Sequence, residues 1–394
     1  MKKDKKKKIA LVNQRYGLEV NGGSEYYTRQ LAEHLIDRYD VEILTTKALD
    51  YDTWENYYTE DVEEINGVRV RRFDVDKKRS VWGMRINGRI RRYFPELREQ
   101  AERRWVEAQG PCSTGLINYI ESNKDNYDVF IFVTYLYYST AVGLEKVADK
   151  AILVPTAHDE PYIYFDIYRH IFEKTAGLIY LTPEEKSFVE KLFDVKNKPN
   201  VVSGSGVELP ADINNDRYRE KFNITDDYII YVGRIDLEKG CKEMFEAFLQ
   251  YKKQYPDDRT QLVLMGKAMI DIPKHNDIVY QGFVSESDKF DGISGAKALW
   301  LPSKYESLSI AVLEAMSLGV PVMVNGECEV LKGHCIRSGA GVYYTSTKEA
   351  PEKLRQLMTS DEEMADKARQ YIQENYQWEN IVTGICEVME TIGK

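Results

Sequence analysis

The sequence predicts an α/β fold built as two doubly wound domains, on three observations. Uninterrupted apolar runs such as Tyr127 to Thr134 and Ala151 to Thr156 have the character of strands in a parallel sheet covered on both faces. Helix-length segments separate these runs, and glycines stand at the strand-to-helix switches, in Gly22-Gly23 and again from Gly233 to Gly240. The chain of 394 residues is too long for one ordinary domain, and a hydrophobic content of 43% is enough for two sizeable cores.

Composition narrows the function classes. A formal net charge of −10 argues against a general nucleic-acid binder. The five cysteines, at 112, 241, 328, 335 and 386, have neither zinc nor paired spacing, as expected of reduced thiols. No metal site is expected from them. The start, MKKDKKKK, is basic like the first region of a signal peptide, but the apolar run Ile9 to Val12 is too short for a signal core. Nothing approaches a spanning helix, so a cytoplasmic chain is expected.

Taken in order, Ile9 to Asn13 reads as a buried first strand, followed by the loop Gly22-Gly23-Ser24-Glu25 and a helix to about Tyr39. Glycines there let backbone approach a ligand where the helix begins. Val41 to Thr46 is a second strand. Asn66-Gly67, between Glu63 to Ile65 and Val68 to Phe73, signals a hairpin. From Arg69 to Trp105 the local charge turns basic, with Trp82, Tyr93, Phe94 and Trp105 interleaved. A solvated helix face over Arg89 to Arg104, its aromatics turned into the core, accounts for that stretch. The alternatives are a surface for peripheral membrane contact, or one that receives an acidic acceptor.

The strands Tyr127 to Thr134 and Ala151 to Thr156 each end in a polar, aromatic loop. The first holds Tyr135, Tyr137 and Tyr138; the second reads His158-Asp159-Glu160-Pro161-Tyr162. Ligands of open α/β sheets lie beyond the carboxyl ends of strands, so both loops point at a binding site. Gly177 to Thr182 and Asn200 to Ser203 complete a first domain over 1–207. A polar stretch of about 208–227 with Pro210 reads as a linker, opening a second domain over 208–375.

That domain starts with the strand Tyr228 to Val232, which runs into Gly233-Arg234-Ile235-Asp236-Leu237-Glu238-Lys239-Gly240 and a helix from about Cys241. Leu262 to Gly266 and Ile278 to Gly282 are further strands, the latter followed by Phe283 and Val284. Ala298 to Pro302 is a strand, Ser303 to Ser307 a polar turn, and the helix after it should stop at Gly319, before the strand Val320 to Val324. Glu349 to Met358 and Asp361 to Asn375 read as helices, and Trp378 to Thr391 as a last amphipathic one.

Charged residues in these loops point to chemistry. Glu306 lies in the turn and Glu314 eight residues later, within a helix apolar nearly all round, where a carboxylate needs a partner. A buried Lys or Arg could supply it. So could ligand hydroxyls near the two acids, with phosphate at the backbone N–H groups of Leu308 and Ser309. A nucleotide sugar has that layout. When a glycosidic bond to a diphosphate breaks, the leaving group gathers negative charge, and Arg234 and Lys239 with nearby N–H groups could hold it without metal.

The run PSKYESLSIAVLEA, with its two glutamates, and the run GRIDLEKG resemble the signatures of the retaining glycosyltransferases of family four. The resemblance implies the GT-B fold: two Rossmann-like domains with an interdomain cleft, and a last helix, 376–394, crossing back to the first domain. It implies a UDP- or GDP-sugar as donor substrate and no cofactor. Arg234 and Lys239 would stabilise the diphosphate, Glu306 would orient the sugar and Glu314 would hold the ribose. His158 would shape the reacting centre, Gly22 and Gly23 would lie near the phosphates and the acceptor, and Gly233 would open the phosphate loop. Phe283 and Val284 would flank the base. The family's Gly-Phe-Gly between the glutamates is here Ser307-Leu308-Ser309.

Asp74-Val75-Asp76 has the form of a metal-binding pair from the other major glycosyltransferase fold. It sits where a strand ends, and the two-glutamate signature belongs to metal-independent enzymes. The acceptor would be a glycan, lipid-linked or protein-linked. Two other functions fit the same fold: a non-catalytic subunit that binds nucleotide and stabilises a partner transferase, and an epimerase or phosphorylase.

Overall fold

The computed structural model describes residues 6–359 and 362–393. Most of the basic start, and residue 361 at the expected start of a helix, lie outside the described residues. The chain divides into two compact units, residues 1–203 with 378–394, and residues 204–377.

The first unit carries eight strands: β1 (Lys8–Val12), β2 (Asp40–Thr46), β3 (Val62–Ile65), β4 (Val68–Phe73), β5 (Val129–Val133), β6 (Ala151–Val154), β7 (Gly177–Tyr180) and β8 (Asn200–Val202). Their order is β3-β4-β2-β1-β5-β6-β7-β8. All neighbours are parallel except β3 and β4, which form an antiparallel hairpin with Ile65 opposite Val68. Asn66 and Gly67 turn it, both at positive φ (51° and 79°), a geometry that favours this Asn-Gly pair. β1, β5, β6 and β7 are buried almost throughout, as their unbroken apolar runs require.

The last helix, Trp378–Ile392, packs in this unit against β7 and β8. Trp378 stacks on His34 with ring centroids 4.2 Å apart. A Cβ on Gly177 would stand 2.6 Å from Ile392 Cδ1, so the missing side chain lets the helix lie on β7.

The second unit has six strands: β9 (Tyr228–Val232), β10 (Gln261–Met265), β11 (Ile278–Gly282), β12 (Ala298–Leu301), β13 (Val322–Asn325) and β14 (Gly341–Tyr344). They are all parallel, in the order β11-β10-β9-β12-β13-β14. From β9 the chain winds first to one side and, after β11, to the other. The exits of β9 and β12 therefore form the point where the winding reverses.

Two expectations need correction. The polar stretch 208–227 is not all linker, because it contains the helix Asn215–Phe222, held in the second unit. Asn214 caps it, Tyr218 is fully buried, and Arg217 Nε lies 2.7 Å from Asp291. The single helix expected over Arg89 to Arg104 is two, Val81–Tyr93 and Arg98–Gln109, broken at Pro95, which can donate no backbone hydrogen bond. Trp105 is buried as expected, but Trp82, Tyr93 and Phe94 are exposed.

Among the described residues no helix is long and apolar enough to cross a membrane, and no cluster of His, Cys, Asp and Glu could hold a metal ion. The Asp74 carboxylate pairs with Lys47 at 3.0 Å, while Asp76 accepts the Thr114 N–H at 2.6 Å. All five cysteines are buried free thiols.

Candidate functional site

In the second unit the loop after β9 is shaped by its own backbone. Gly233 adopts φ 151°, and a Cβ on Gly266 would fall 1.9 Å from the Gly233 carbonyl oxygen, so the loops after β9 and β10 touch main chain to main chain. Ile235 N–H donates to Lys267 O (2.9 Å), and Met269 N–H donates back to Ile235 O (2.9 Å). Asp236 then turns the chain by accepting the Lys239 N–H at 2.7 Å. Gly240 closes the loop at φ 73°, where a Cβ would lie 2.6 Å from Pro302 O. That approach presses the β9 loop against the end of β12.

The contact explains which side chains meet. Lys239 Nζ donates to Glu306 Oε1 at 2.6 Å, joining a cation from the loop after β9 to a carboxylate from the loop after β12. The pair is largely buried, its side chains 28% and 14% exposed. Arg234 is half-exposed, 3.4 Å from Asp236 and 3.9 Å from Glu238. Tyr231 Oη donates to the Arg234 carbonyl and fixes the backbone there.

Glu314 has a protein partner. Lys289 Nζ, from the helix Glu286–Ser294, lies 2.7 Å from Glu314 Oε1, with both side chains buried. Burial pushes the Glu314 carboxyl above its usual range, and Lys289 only partly offsets this. Lys289 is itself held protonated, since Glu314 and Glu286 outweigh the cost of its burial. The hydrogen bond from Lys289 goes to Oε1.

Between the two acids, the helix Ile310–Ser317 starts behind Ser309, which sits in the left-handed region at φ 71° and ψ 88° with no side-chain cap. The turn is braced from behind by His334, fully buried. Its Nε2 lies 2.9 Å from the Leu308 carbonyl oxygen and its Nδ1 3.0 Å from Tyr371 Oη. A carbonyl can only accept, so Nε2 carries the proton and Tyr371 donates to Nδ1. Burial lowers the imidazole to about 4, with Arg337 adding to the shift, and this keeps the ring neutral. Ser307 is half-buried. Phe283 is 70% exposed beyond the end of β11, with Val284 half-buried beside it.

In the first unit, Gly22 and Gly23 follow β1, and His158 follows β6. A Cβ on Gly22 would strike Glu25 at 2.2 Å, while one on Gly23 would meet open space. Glu25 anchors this loop, taking Arg15 Nε at 2.9 Å, Gln14 Nε2 at 3.0 Å and Ser24 Oγ at 2.8 Å. His158 Nε2 stands 3.7 Å from Glu160 Oε2, and the other oxygen of Glu160 accepts from Tyr135 Oη. The backbone just before His158 is pinned by the buried Glu185, which accepts the N–H groups of Ala157 and Leu181, each at 2.6 Å. Burial pushes that carboxyl up to about 8. Tyr135, Tyr137 and Tyr138 are buried.

Sequence reasoning missed Asp236, Lys289, His334, Arg15 and Glu25. Asp236 was within reach, since an Asp three residues before the end of a glycine-bounded loop is a turn former. Lys289 and His334 carry no local signal, because their partners come from elements far along the chain.

The comparisons agree with this architecture. Residues 212–378 match the family model for glycosyl transferases group 1. An uncharacterized glycosyltransferase of Methanocaldococcus jannaschii is 22% identical, with 98% of this chain and 100% of that protein covered. Sucrose-phosphate synthase from Thermosynechococcus elongatus superposes with a TM-score of 0.70 at 16% identity, covering 98% of this chain and 99% of that one. HepE of Anabaena, in complex with UDP and glucose, gives a TM-score of 0.68 at 12% identity over 98% of this chain and 100% of that one. The chain thus has the GT-B fold, and it is the second unit that is similar to the glycosyl transferases group 1 family.

Proposed function

We propose that the protein is a retaining glycosyltransferase that moves a sugar from a UDP- or GDP-sugar to an acceptor hydroxyl without a metal ion. The observation that carries this reading is the Lys239–Glu306 contact at the point where the second sheet reverses its winding. It holds a cation for phosphate and a carboxylate for sugar hydroxyls a hydrogen bond apart, at the carboxyl ends of adjacent strands. UDP in the HepE structure supports the donor class by analogy.

In the reaction, the bond between the anomeric carbon and the phosphate oxygen breaks on the face where the acceptor oxygen bonds to that carbon. The acceptor proton passes to the departing phosphate oxygen. Lys239 and Arg234 hold the charge that grows there, together with the N–H groups at the start of the helix Ile310–Ser317. Glu306 orients the sugar, Ser307 to Ser309 carry the backbone donors, and Glu314 Oε2 accepts from a ribose hydroxyl. Gly233 keeps the phosphate loop low, and Phe283 and Val284 flank the base.

A non-catalytic nucleotide-binding subunit draws on one fact: both glutamates are already paired with lysines. A panel of sugar nucleotides, scored for hydrolysis and for thermal stabilisation, separates the two. Hydrolysis of one donor supports the transferase, and stabilisation without turnover across the panel and added acceptors supports the subunit.

A further inference from the structure

The helix Val81–Tyr93 reverses the charge of the molecule locally. It carries Arg85, Arg89, Arg91 and Arg92 and no acid, in a chain whose net charge is −10. Arg91 is committed. It lies 2.5 Å from the buried Glu102, donates to Tyr164 O at 3.0 Å, and covers the Phe165 ring at 4.2 Å. Glu102 in turn accepts the Ile167 N–H at 3.0 Å. These contacts peg the helix to the segment that follows His158.

Arg85, Arg89 and Arg92 are different. Spaced four and three residues apart they share one helix face, and all are exposed. Among the described residues no carboxylate pairs with any of them. They border a groove of about 440 Å³, within the roughly 300–1,000 Å³ typical of small-molecule sites. Its other wall is aromatic: Trp105 and Tyr162 lie with ring centroids 4.5 Å apart, and Phe165 stands 5.2 Å from Trp105. Gly88 also lines the groove, and a Cβ there would meet no atom within 4 Å. Neither a positive φ nor close packing calls for a glycine in mid-helix at 88, where it costs about 1 kcal/mol against alanine. What it does is leave the groove open.

We propose that this groove binds the acceptor, and that the acceptor is an anionic saccharide, with its sugar ring on the aromatic wall and its phosphate or carboxylate on Arg85, Arg89 and Arg92. The inference rests on the glycosyltransferase reading and adds the substrate class to it. Tyr162, 39% exposed and backed by the buried Trp105, offers a pyranose one open aromatic face. Guanidinium groups on one side suit the planar, bidentate geometry of carboxylate and phosphate. The groove also shares its backbone segment with His158, which lies four residues before Tyr162 and seven before Phe165. Trp82, exposed on the same helix, would instead favour lipid, and the vesicle measurement below separates the two.

The test is titration of the full chain at low salt with glucose, glucuronic acid and glucose 6-phosphate, read by NMR line broadening. It is repeated on Gly88→Trp, which fills the groove while favouring the helix, and on Arg89→Glu. The expected result is a preference of about tenfold or more for one or both charged sugars over glucose, lost in both variants, each with an unchanged circular dichroism spectrum. Whichever charged sugar prevails identifies the anionic group.

Equal binding of all three sugars, or a preference that survives both substitutions, overturns the proposal. So does sedimentation of the chain with phosphatidylglycerol vesicles that Arg89→Glu abolishes while no charged sugar is preferred, since the surface would then meet lipid. Stabilisation by UDP or GDP, measured in the same samples, reports on the donor reading alone. Its loss in the wild type would strike that reading and not the groove.

Discussion

Lys239 and Glu306, 67 residues apart in sequence, meet at 2.6 Å because Gly240 lets one loop lie against the carbonyl of Pro302 at the foot of the other. Each group satisfies the other until a ligand arrives. On the proposed function, a donor diphosphate entering here would offer Lys239 a second anion and free Glu306 for sugar hydroxyls.

Removing either partner should therefore separate activity from stability. Lys239→Ala and Glu306→Ala are each expected to lose about 10²-fold or more in kcat/KM for donor turnover, the scale of losing one fixed group that meets developing charge. The cost in stability should be about 1–3 kcal/mol, because each substitution leaves a largely buried group without its partner. Steady-state turnover and thermal melts on the same samples check both. Near-full turnover in either variant would remove that residue from the site.

The Lys289–Glu314 pair should behave in the opposite way. Lys289→Met strands a buried carboxylate and is expected to destabilise the chain by about 3–5 kcal/mol at pH 7. Glu314→Gln leaves a lysine that still reaches Glu286 and should cost less, while weakening nucleotide binding by about tenfold through the lost ribose acceptor. Urea titrations and nucleotide titrations separate the two effects. Equal destabilisation with unchanged nucleotide affinity would make Glu314 purely structural.

His334 gives the fold an acid limit. Its folded-state pKa, about 4, lies below the usual 6.5, so at pH 5 the unfolded chain binds a proton that the folded chain refuses. Stability from this residue is complete above about pH 6.5 and drains away as pH falls towards 4, at up to about 1.4 kcal/mol per pH unit. Melting temperatures from pH 7 to 4 should fall more steeply for the wild type than for His334→Gln, and parallel curves would contradict the assignment.

Two backbone positions predict opposite signs. Ser309→Gly relieves a non-glycine residue at φ 71° and is expected to stabilise by roughly 0.5–1 kcal/mol with donor binding retained. Gly240→Ala adds a Cβ at positive φ, 2.6 Å from Pro302 O, and should cost about 1–3 kcal/mol and raise KM for the donor by pushing Lys239 away from Glu306. Chemical denaturation and donor kinetics on the two variants check the signs.

How far the sequence could be read depended on where each residue's partner lies. β9 was legible to the residue, since an unbroken apolar run ends where a glycine turn begins, β11 was bounded by its closing Gly282, and the Asn66-Gly67 hairpin follows from φ alone. The helix Asn215–Phe222 was hidden because its stripe, Tyr218 and Phe222, is only two aromatics in a polar stretch. Trp82 and Tyr93 were misplaced because aromatic character suggests burial, while the break at Pro95 turns their helix outward. The two cations and two acids could be named from their loops, but Lys289 and His334 reach the site only through the parallel winding of the second sheet, which brings β12 beside β9.

The stacking of Trp378 on His34 bears on how the protein is made. Synthesis runs from the amino end, so the first unit is begun first yet lacks its closing helix until residues 378–392 emerge, whereas residues 204–377 all precede them. The interior unit does not need that helix, whereas β7 and β8 wait for it as their cover. Translation stopped before Trp378 would release a nascent chain with a complete second unit and an unsealed first one, the half that a chaperone would have to guard.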